Sequence, residues 1–311
     1  MTDGLHADEL PVDLPLVRAL VDGQLPAYAD LTVAPLGASG SSNALFRLGP
    51  ELLVRLPRQP GGSATIDKEA RWLPLVGSRL PVAVPEVLAV GEPDLGYPER
   101  WSVVRWIDGS TPAGAAAGSA ATALAADLAT VVAALRALAV PDEALADPEL
   151  RWYRGEPLAT FDADVREAVA ACRGIAGLDL DLDAVLAVWD AAVRLPTSSA
   201  VAEPRWYHGD LVAENLLVRD GRLVAVLDFG ALAVGDPTVD LIVAWDVLDA
   251  AARAVFRADL DVDDETWLRG RAWALGLALV TFPYYWTTMP ARCANRLAVA
   301  RAVLADAADD R

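Results

Sequence analysis

Several residue types are scarce in this sequence, and each shortage excludes a class of protein. Its 311 residues include two cysteines, Cys172 and Cys293, which lie far apart and lack metal-ligand spacing. They supply neither a disulfide framework nor a zinc site, so we expect reduced thiols in a cytoplasmic protein. Lysine is nearly absent, because Lys68 is the single lysine among 26 basic side chains. Arginine is therefore expected wherever the protein needs a cation.

Positive charge is in short supply overall. The chain has 44 acidic residues against 26 basic ones, a net charge of −18. Nucleic acids and anionic membranes both need a basic face, so the composition predicts neither as a partner. A cationic ligand would suit an acidic protein, although solubility alone accounts equally well for most of these carboxylates.

No apolar run is convincing as a targeting or membrane segment. Residues 1–20 have neither a basic start nor an uninterrupted apolar core, so we expect no signal peptide. Residues 272–291 are uncharged and long enough to cross a bilayer, but two prolines, Gly276 and several hydroxyl groups make them a poor spanning segment. We predict a buried helix over residues 272–281. The apolar fraction of 54% is ample for the core of one bilobal enzyme or two domains.

The stretch from Trp206 to Asp240 contains the chemistry. Polar residues follow one another there at the spacing of a phosphoryl-transfer site: His208-Gly209-Asp210, Asn215, a hairpin turn at Asp220-Gly221, an apolar strand over 223–227, and Asp228-Phe229-Gly230. In that pattern one Asp receives the proton of the substrate hydroxyl, while the Asn and the second Asp hold Mg²⁺ against the nucleotide phosphates. The sequence therefore predicts Asp210 as the catalytic residue and Asn215 with Asp228 as the metal ligands.

Charge gives the physical reason for this spacing. A nucleoside triphosphate and its transition state concentrate negative charge, which the protein must surround with cations and a proton acceptor. Taken singly, each motif has a plain structural explanation: His-Gly-Asp can be a turn, and Asn215 can be a cap. Their order across a predicted loop, hairpin and strand makes coincidence improbable.

These residues resemble the aminoglycoside phosphotransferase family, small-molecule relatives of protein kinases in which His-Gly-Asp replaces His-Arg-Asp. The Gly-Asp-Pro-x-x-Asp run ending at Asp240 is typical of the same family, and the resemblance implies that Asp240 braces the catalytic loop. It also implies an α+β, bilobal protein-kinase-like fold. A small antiparallel β lobe with one helix would bind nucleotide in residues 1–106, and a larger, mainly helical lobe would hold the catalytic and acceptor sites in residues 107–311.

A Gly/Ser turn in residues 31–48 is the predicted phosphate-covering loop. Its glycines allow close approach of the backbone to an anion, and Ser39, Ser41 and Ser42 add hydroxyl donors. A plain hairpin turn would look the same. The family then places a basic residue on the next strand, where it contacts the α- and β-phosphates and pairs with a helix glutamate. Here these are Arg55 and Glu69, with a solvated Glu69 as the alternative.

The resemblance also implies a nucleotide-base contact and an acceptor site. Residues 101–112 resemble the last small-lobe strand and a hinge, with Arg105, Trp106 and Ile107 offering backbone groups to the base. Family acceptors lie against helices that follow the catalytic segment, and aromatic rings with carboxylates suit an amino sugar. The acceptor-binding candidates are Asp246, Tyr284 and Tyr285, with core packing as the alternative for at least one tyrosine.

The sequence predicts helices in the second lobe over residues 113–139, 161–172, 182–194 and 241–256. The predicted reaction transfers the γ-phosphoryl group of ATP or GTP, with Mg²⁺, to a hydroxyl of a small, cationic molecule. An aminoglycoside is the leading acceptor; macrolides, peptide antibiotics, choline, homoserine and sugars stay open. A nucleotide-binding pseudokinase and a metal-dependent hydrolase are the alternatives of other classes. Monomer and homodimer are both open.

Overall fold

A computed structural model describes residues 8–37, 42–112, 119–196 and 203–309. The predicted Ser39 and Ser41 contacts lie outside these described residues. The chain forms two compact units. The first comprises Met1–Ser78 with Ala83–Asp108, and the second comprises Arg79–Val82 with Gly109–Arg311.

The first unit is built on an antiparallel sheet of five strands in the order β1-β2-β3-β5-β4. The strands are β1 (Val33–Pro35), β2 (Asn43–Leu48), β3 (Leu52–Pro57), β4 (Val87–Gly91) and β5 (Trp101–Arg105). Buried residues alternate along β2, as expected for a strand with one face in the core. Gly49, at φ 60°, permits the tight connection from β2 to β3.

Two helices accompany this sheet, where the sequence predicted one. Helix α1 (Leu14–Gln24) begins at Asp13, whose carboxylate accepts the Leu16 N–H at 2.9 Å. Its buried Val17, Leu20 and Val21 belong to the same apolar core as β2, β3 and Trp101. Helix α1 is thus part of the first unit because its apolar stripe completes that core.

The N-terminus of helix α2 (Ser63–Gly77) is capped by the side chain of Glu99, which is distant in sequence. Glu99 accepts hydrogen bonds from the Gly61 and Ser63 N–H groups, both at 2.8 Å. An anion at a helix N-terminus satisfies backbone donors that the helix cannot pair itself. This contact fixes the start of the helix that carries Glu69.

The second unit contains two short antiparallel strand pairs. Strand β6 (Arg205–Tyr207) pairs with β9 (Ala233–Gly235), and β7 (Leu216–Arg219) pairs with β8 (Arg222–Val226). Asp220 and Gly221 turn the second pair with φ of 52° and 75°. Two positive φ values are those of the hairpin turn that Asp-Gly favours, so the predicted hairpin is confirmed.

The rest of the second unit is mainly helical. Its helices are α3 (Ser119–Ala137), α4 (Asp142–Ala146), α5 (Asp162–Cys172), α6 (Leu182–Val193), α7 (Val243–Asp246), α8 (Ala250–Asp259), α9 (Asp264–Tyr285) and α10 (Pro290–Asp309). The predicted helices at 161–172 and 182–194 are confirmed as α5 and α6. The antiparallel sheet of the first unit and the larger, mainly helical second unit confirm the predicted α+β class.

Two of the predicted helix boundaries were wrong. The buried helix predicted over residues 272–281 runs from Asp264 to Tyr285, because Asp263 caps it by accepting the Thr266 N–H at 2.7 Å. The single helix predicted over residues 241–256 is interrupted. Asp249 accepts the Ala252 N–H at 2.9 Å and starts α8 as a separate helix after α7.

Helix α10 is fixed to the second unit by one carboxylate. Asp306 Oδ2 accepts hydrogen bonds from Trp245 Nε1 at 3.2 Å, Trp267 Nε1 at 3.3 Å and Arg271 Nε at 2.8 Å. Removing this acceptor would leave several mostly buried donors unsatisfied. The position of α10 matters because this helix brings Arg292 and Arg296 to the catalytic loop.

One helix satisfies the length and composition of a membrane span. Within the described residues, the window Ala120–Ala137 of α3 is long and apolar enough to cross a bilayer. Its Leu124, Leu128, Val131 and Val132 are buried in the second unit. Core helices of globular proteins satisfy the same two criteria, so this window is weak evidence for a span.

Candidate active site

The catalytic loop, His208–Asn215, connects β6 to β7. Gly209 lies in the left-handed region at φ 83°, and a Cβ there would lie 2.5 Å from the Ala231 carbonyl oxygen. A residue with a side chain would meet both backbone strain and a backbone clash. The glycine of His-Gly-Asp is therefore required by the path of the loop itself.

Asp240 braces the loop from within the core, as the resemblance implied. The carboxylate is 1% exposed and accepts the N–H groups of His208 and Gly209, both at 2.8 Å. Complete burial raises the pKa of Asp240, a direction that the two N–H donors oppose. Both oxygens are used by the loop, so this residue is structural.

His208 is also structural. Its Nε2 lies 3.0 Å from the Leu227 carbonyl oxygen, and its Nδ1 accepts the Asp210 N–H at 3.2 Å. These contacts require the neutral tautomer with the proton on Nε2. The ring packs edge-on against buried Phe229, with centroids 4.7 Å apart. His208 therefore joins the catalytic loop to the Asp-Phe-Gly turn.

Asp210 projects from this loop with 32% of its side chain exposed. Its Oδ1 lies 2.8 Å from Arg154 Nη1, and its Oδ2 accepts Asn215 Nδ2 at 3.1 Å. Burial is the largest single effect and acts to raise the pKa of Asp210, but the charge and hydrogen bond of Arg154, together with the charge of Arg296, hold the pKa below its usual range. The carboxylate is thus ionised, oriented on two sides and open to solvent.

Asn215 and Asp228 lie at the same end of one hairpin. Asn215 directly precedes β7, Asp228 follows β8 by two residues, and Leu216 pairs with Val226 in the register. The Leu227 N–H also donates to the Asn215 carbonyl oxygen at 2.8 Å. Antiparallel pairing therefore brings together two residues that are 13 positions apart along the chain.

Both side chains fit a magnesium site. Asn215 Nδ2 donates to the carbonyl oxygen and Oδ2 of Asp210, which leaves its Oδ1 available as a ligand. Asp228 lies in the left-handed region at φ 55° and ψ 73°, and its Oδ1 accepts the Gly230 N–H at 3.3 Å, which leaves Oδ2 available as a ligand. No group of three or more His, Cys, Asp or Glu side chains in the described ranges could hold a metal. Two oxygen ligands are nevertheless enough where nucleotide phosphates supply the others.

Arg55 and Glu69 form the predicted ion pair. Both are buried in the first unit, and Arg55 Nη2 donates to Glu69 Oε2. Arg55 lies on β3 and Glu69 on α2, as the sequence predicted. The alternative of a solvated Glu69 is therefore wrong. The pair holds a guanidinium in the position that the family gives to its phosphate-contacting cation.

The remaining predicted nucleotide contacts are placed less favourably. Ser42 is exposed, and its carbonyl oxygen accepts the Arg58 N–H at 2.9 Å. The N–H groups of Arg105 and Trp106 already donate to the carbonyl oxygens of Glu86 and Glu51, at 3.0 and 2.7 Å. Within the described ranges the Ile107 N–H donates to no other backbone group, so of the three predicted residues it has the best-placed backbone donor.

Asp246 contacts the predicted catalytic loop and helix α10. Its side chain is 8% exposed and accepts the Ala213 N–H at 2.6 Å and Arg296 Nη1 at 2.8 Å. Glu214, in the same loop, lies 2.6 Å from Arg292 Nη2. Arginines of α10 therefore pair with both carboxylates, and the acceptor role of Asp246 stays a prediction.

The two predicted tyrosines differ in environment. Tyr284 is 60% exposed. Tyr285 is half-buried, with the Arg292 guanidinium 5.5 Å from its ring centroid. Through Arg292 and Glu214, Tyr285 is connected to the catalytic loop. The two rings contact each other with centroids 4.5 Å apart, and an acceptor-binding role for either stays a prediction.

Sequence reasoning missed Arg154, Arg292 and Arg296. Arg154 lies on a connector 56 residues before Asp210. Arg292 and Arg296 lie on the last helix, α10. Each is one arginine among many in a chain with almost no lysine. No local pattern distinguishes them, since their importance comes only from what they contact.

Comparison with known proteins identifies the class. Residues 32–274 match the model of the phosphotransferase enzyme family, and the chain belongs to that family. A search of curated proteins finds no match.

Solved structures share the fold. The GDP and kanamycin complex of APH(2")-IIia is similar with a TM-score of 0.67 and 20% identity, over 96% of this chain and 100% of that one. The gentamicin–APH(2")-IIa complex has a TM-score of 0.63 and 15% identity, over 95% and 99%. Macrolide 2'-phosphotransferase MphH from Brachybacterium faecium has a TM-score of 0.62 and 22% identity, over 94% and 98%.

Proposed function

We propose that this phosphotransferase moves the γ-phosphoryl group of ATP or GTP to a hydroxyl of a small molecule. One observation carries the proposal: the partly exposed Asp210 carboxylate lies next to Asn215, at the hairpin end where Asp228 also lies. Bound Mg²⁺ would neutralise charge on the transferred phosphoryl group. Asn215 and Asp228 would hold that ion, and Arg55 would contact the α- and β-phosphates.

Asp210 would mainly orient the acceptor hydroxyl. Its lowered pKa makes it a weak base, but phosphoryl transfer proceeds through a loose transition state that needs little deprotonation before bond formation. Positioning is then the larger contribution. The residue would receive the proton as the new oxygen–phosphorus bond forms.

An aminoglycoside-type antibiotic is the first acceptor that we propose, and a macrolide is the second. The support is the family, the acidic composition, and the kanamycin, gentamicin and macrolide named for structural neighbours. We place the protein in the cytoplasm, where nucleoside triphosphates and Mg²⁺ are available, with antibiotic resistance as the biological role.

Mass spectrometry of acceptors incubated with purified protein, Mg²⁺ and ATP or GTP tests the proposal. At least one acceptor should gain one phosphate, and Asp210→Asn should reduce the rate by about 10²–10⁴-fold. Asp179→Asn, at an exposed position remote from the loop, is the matched control. Nucleotide binding without transfer to any acceptor would identify a pseudokinase. Phosphate release that needs no acceptor would identify a hydrolase.

A further inference from the structure

The catalytic loop provides no cation for its own aspartate. Residues 208–215 include neither lysine nor arginine. His208 is the one basic side chain among them, and its contacts with Leu227 and Asp210 require the neutral ring. The charge that balances the Asp210 carboxylate must therefore come from another part of the second unit.

Arg154 supplies that charge. Its Nη1 lies 2.8 Å from Asp210 Oδ1 and donates to the Gly209 carbonyl oxygen at 2.5 Å. The side chain is 17% exposed, and its Nε donates to the Tyr153 hydroxyl at 3.0 Å. Within the described residues it is the cation at ion-pair distance from Asp210. A single nitrogen thus joins the catalytic carboxylate to the backbone beside it.

The backbone at Arg154 is held by the strands that flank the loop. A Cβ on Gly155 would lie 2.5 Å from the Tyr207 ring, and one on Gly235 would lie 2.6 Å from the Gly155 carbonyl oxygen. That same oxygen accepts the Asp236 N–H at 2.9 Å. Strands β6 and β9 therefore fix both the catalytic loop and the segment that presents Arg154.

We propose that Arg154 is a positioning residue that fixes the orientation of Asp210 for the acceptor hydroxyl. The inference rests on the proposed phosphotransferase function of this site. With Arg154 on Oδ1 and Asn215 on Oδ2, the carboxylate has one orientation, yet each oxygen keeps lone-pair capacity for the hydroxyl. The guanidinium also offsets the carboxylate charge that would otherwise repel the terminal phosphate.

A double-mutant cycle tests whether Arg154 acts through Asp210. Arg154→Met should lower kcat by about 10²-fold, since small misplacements of a reacting group have effects of that size, and leave KM for the nucleotide nearly unchanged. Arg154→Lys should recover most of the loss. In an Asp210→Asn background, Arg154→Met should have little further effect, because the group that it positions is already altered. Arg151→Met, on the same connector, is the matched control.

Several results would overturn the inference. An equal loss in Arg154→Met and Arg151→Met would mean general damage to the connector. A full additional loss in the Asp210→Asn background would mean that Arg154 acts on the phosphoryl group directly.

A crystal structure of Arg154→Lys or Arg154→Met separates this inference from the proposed function. Loss of the single Asp210 orientation in Arg154→Met, and its retention in Arg154→Lys, is the expected result. An unchanged Asp210 in Arg154→Met would overturn the positioning role even in a protein without phosphotransferase activity. If Arg154→Met fails to fold, Arg154→Gln provides the neutral variant.

Discussion

Gly209 and Asp240 together determine the backbone path of the catalytic loop. Gly209 adopts a φ that other residues avoid, and Asp240 accepts the consecutive N–H groups of His208 and Gly209. The loop is thus held by buried groups of the protein itself. A preorganised site needs little reorganisation during the reaction, which is where electrostatic catalysis gains most.

Asp240→Asn should damage both folding and activity. An amide keeps one acceptor oxygen but turns an NH₂ group toward the second backbone N–H, leaving a buried donor unsatisfied. We expect the free energy of unfolding to fall by about 1–3 kcal/mol, measured by urea denaturation. Activity should fall with it, because the loop loses one of its two attachments.

Asp190→Asn is the control for this prediction, since Asp190 forms its ion pair with the exposed side chain of Arg166. An Asp240→Asn protein as stable as the control would contradict the bracing role.

Charge near Asp210 differs from charge averaged over the chain. The composition predicts an acidic surface for a cationic acceptor, yet Arg154, Arg292 and Arg296 all lie near this carboxylate. Net charge reports the sum over the molecule and not its distribution. The residues that contact an acceptor must therefore be found from geometry.

At the scale of elements, the β7–β8 hairpin carries the proposed metal ligands at its open end. Helix α3 holds this hairpin through Asp127. That carboxylate accepts the Leu223 N–H at 3.0 Å and pairs with Arg222 at 2.5 Å. The hydrogen bond with Arg222 is the main reason that the pKa of Asp127 lies below its usual range.

The Asp127 contacts should make stability depend on pH. A lowered pKa in the folded state adds stability above the unfolded-state pKa of about 3.9, and this is lost as pH falls through the folded-state value. Asp127→Asn should therefore be less stable than wild type at pH 7, by about 1 kcal/mol. The difference should shrink below pH 4, where the wild-type carboxyl becomes protonated.

Urea denaturation of both proteins between pH 3 and pH 7 measures this dependence. Asp183→Asn, at an exposed ion pair with Arg173, provides the comparison for a surface carboxylate. A stability difference that stays constant over this range would exclude Asp127 as its source.

At the scale of the whole molecule, nucleotide binding should increase the free energy of unfolding. A ligand that binds only the folded state at 100 times its dissociation constant adds about 2.7 kcal/mol to the free energy of unfolding. ATP or GTP should therefore raise the midpoint of thermal unfolding in the presence of Mg²⁺. Removing the metal with EDTA should reduce that shift, because the phosphates then lose their link to Asn215 and Asp228.

Asp228→Ala should make the stabilisation by nucleotide nearly independent of Mg²⁺. Asp179→Ala removes an exposed carboxylate elsewhere and should retain the full metal dependence. If both variants respond to Mg²⁺ as wild type does, Asp228 is not a ligand of the metal.

The sequence by itself determined the Asp-Gly hairpin, which a local pattern specifies, and through its resemblance to a known family it implied the fold class and the Arg55–Glu69 pair. It also predicted Asp210, Asn215 and Asp228 as one group, which remains a prediction about chemistry.

Only the tertiary structure decided that α1 joins the first unit, that Asp246 accepts the Ala213 N–H, and that Arg154 pairs with Asp210. These facts depend on which distant residues meet in the fold. An apolar stripe, a lone carboxylate or one of the 25 arginines looks the same in sequence whatever it contacts. Contact is decided by packing between elements, which residue spacing along the chain does not record.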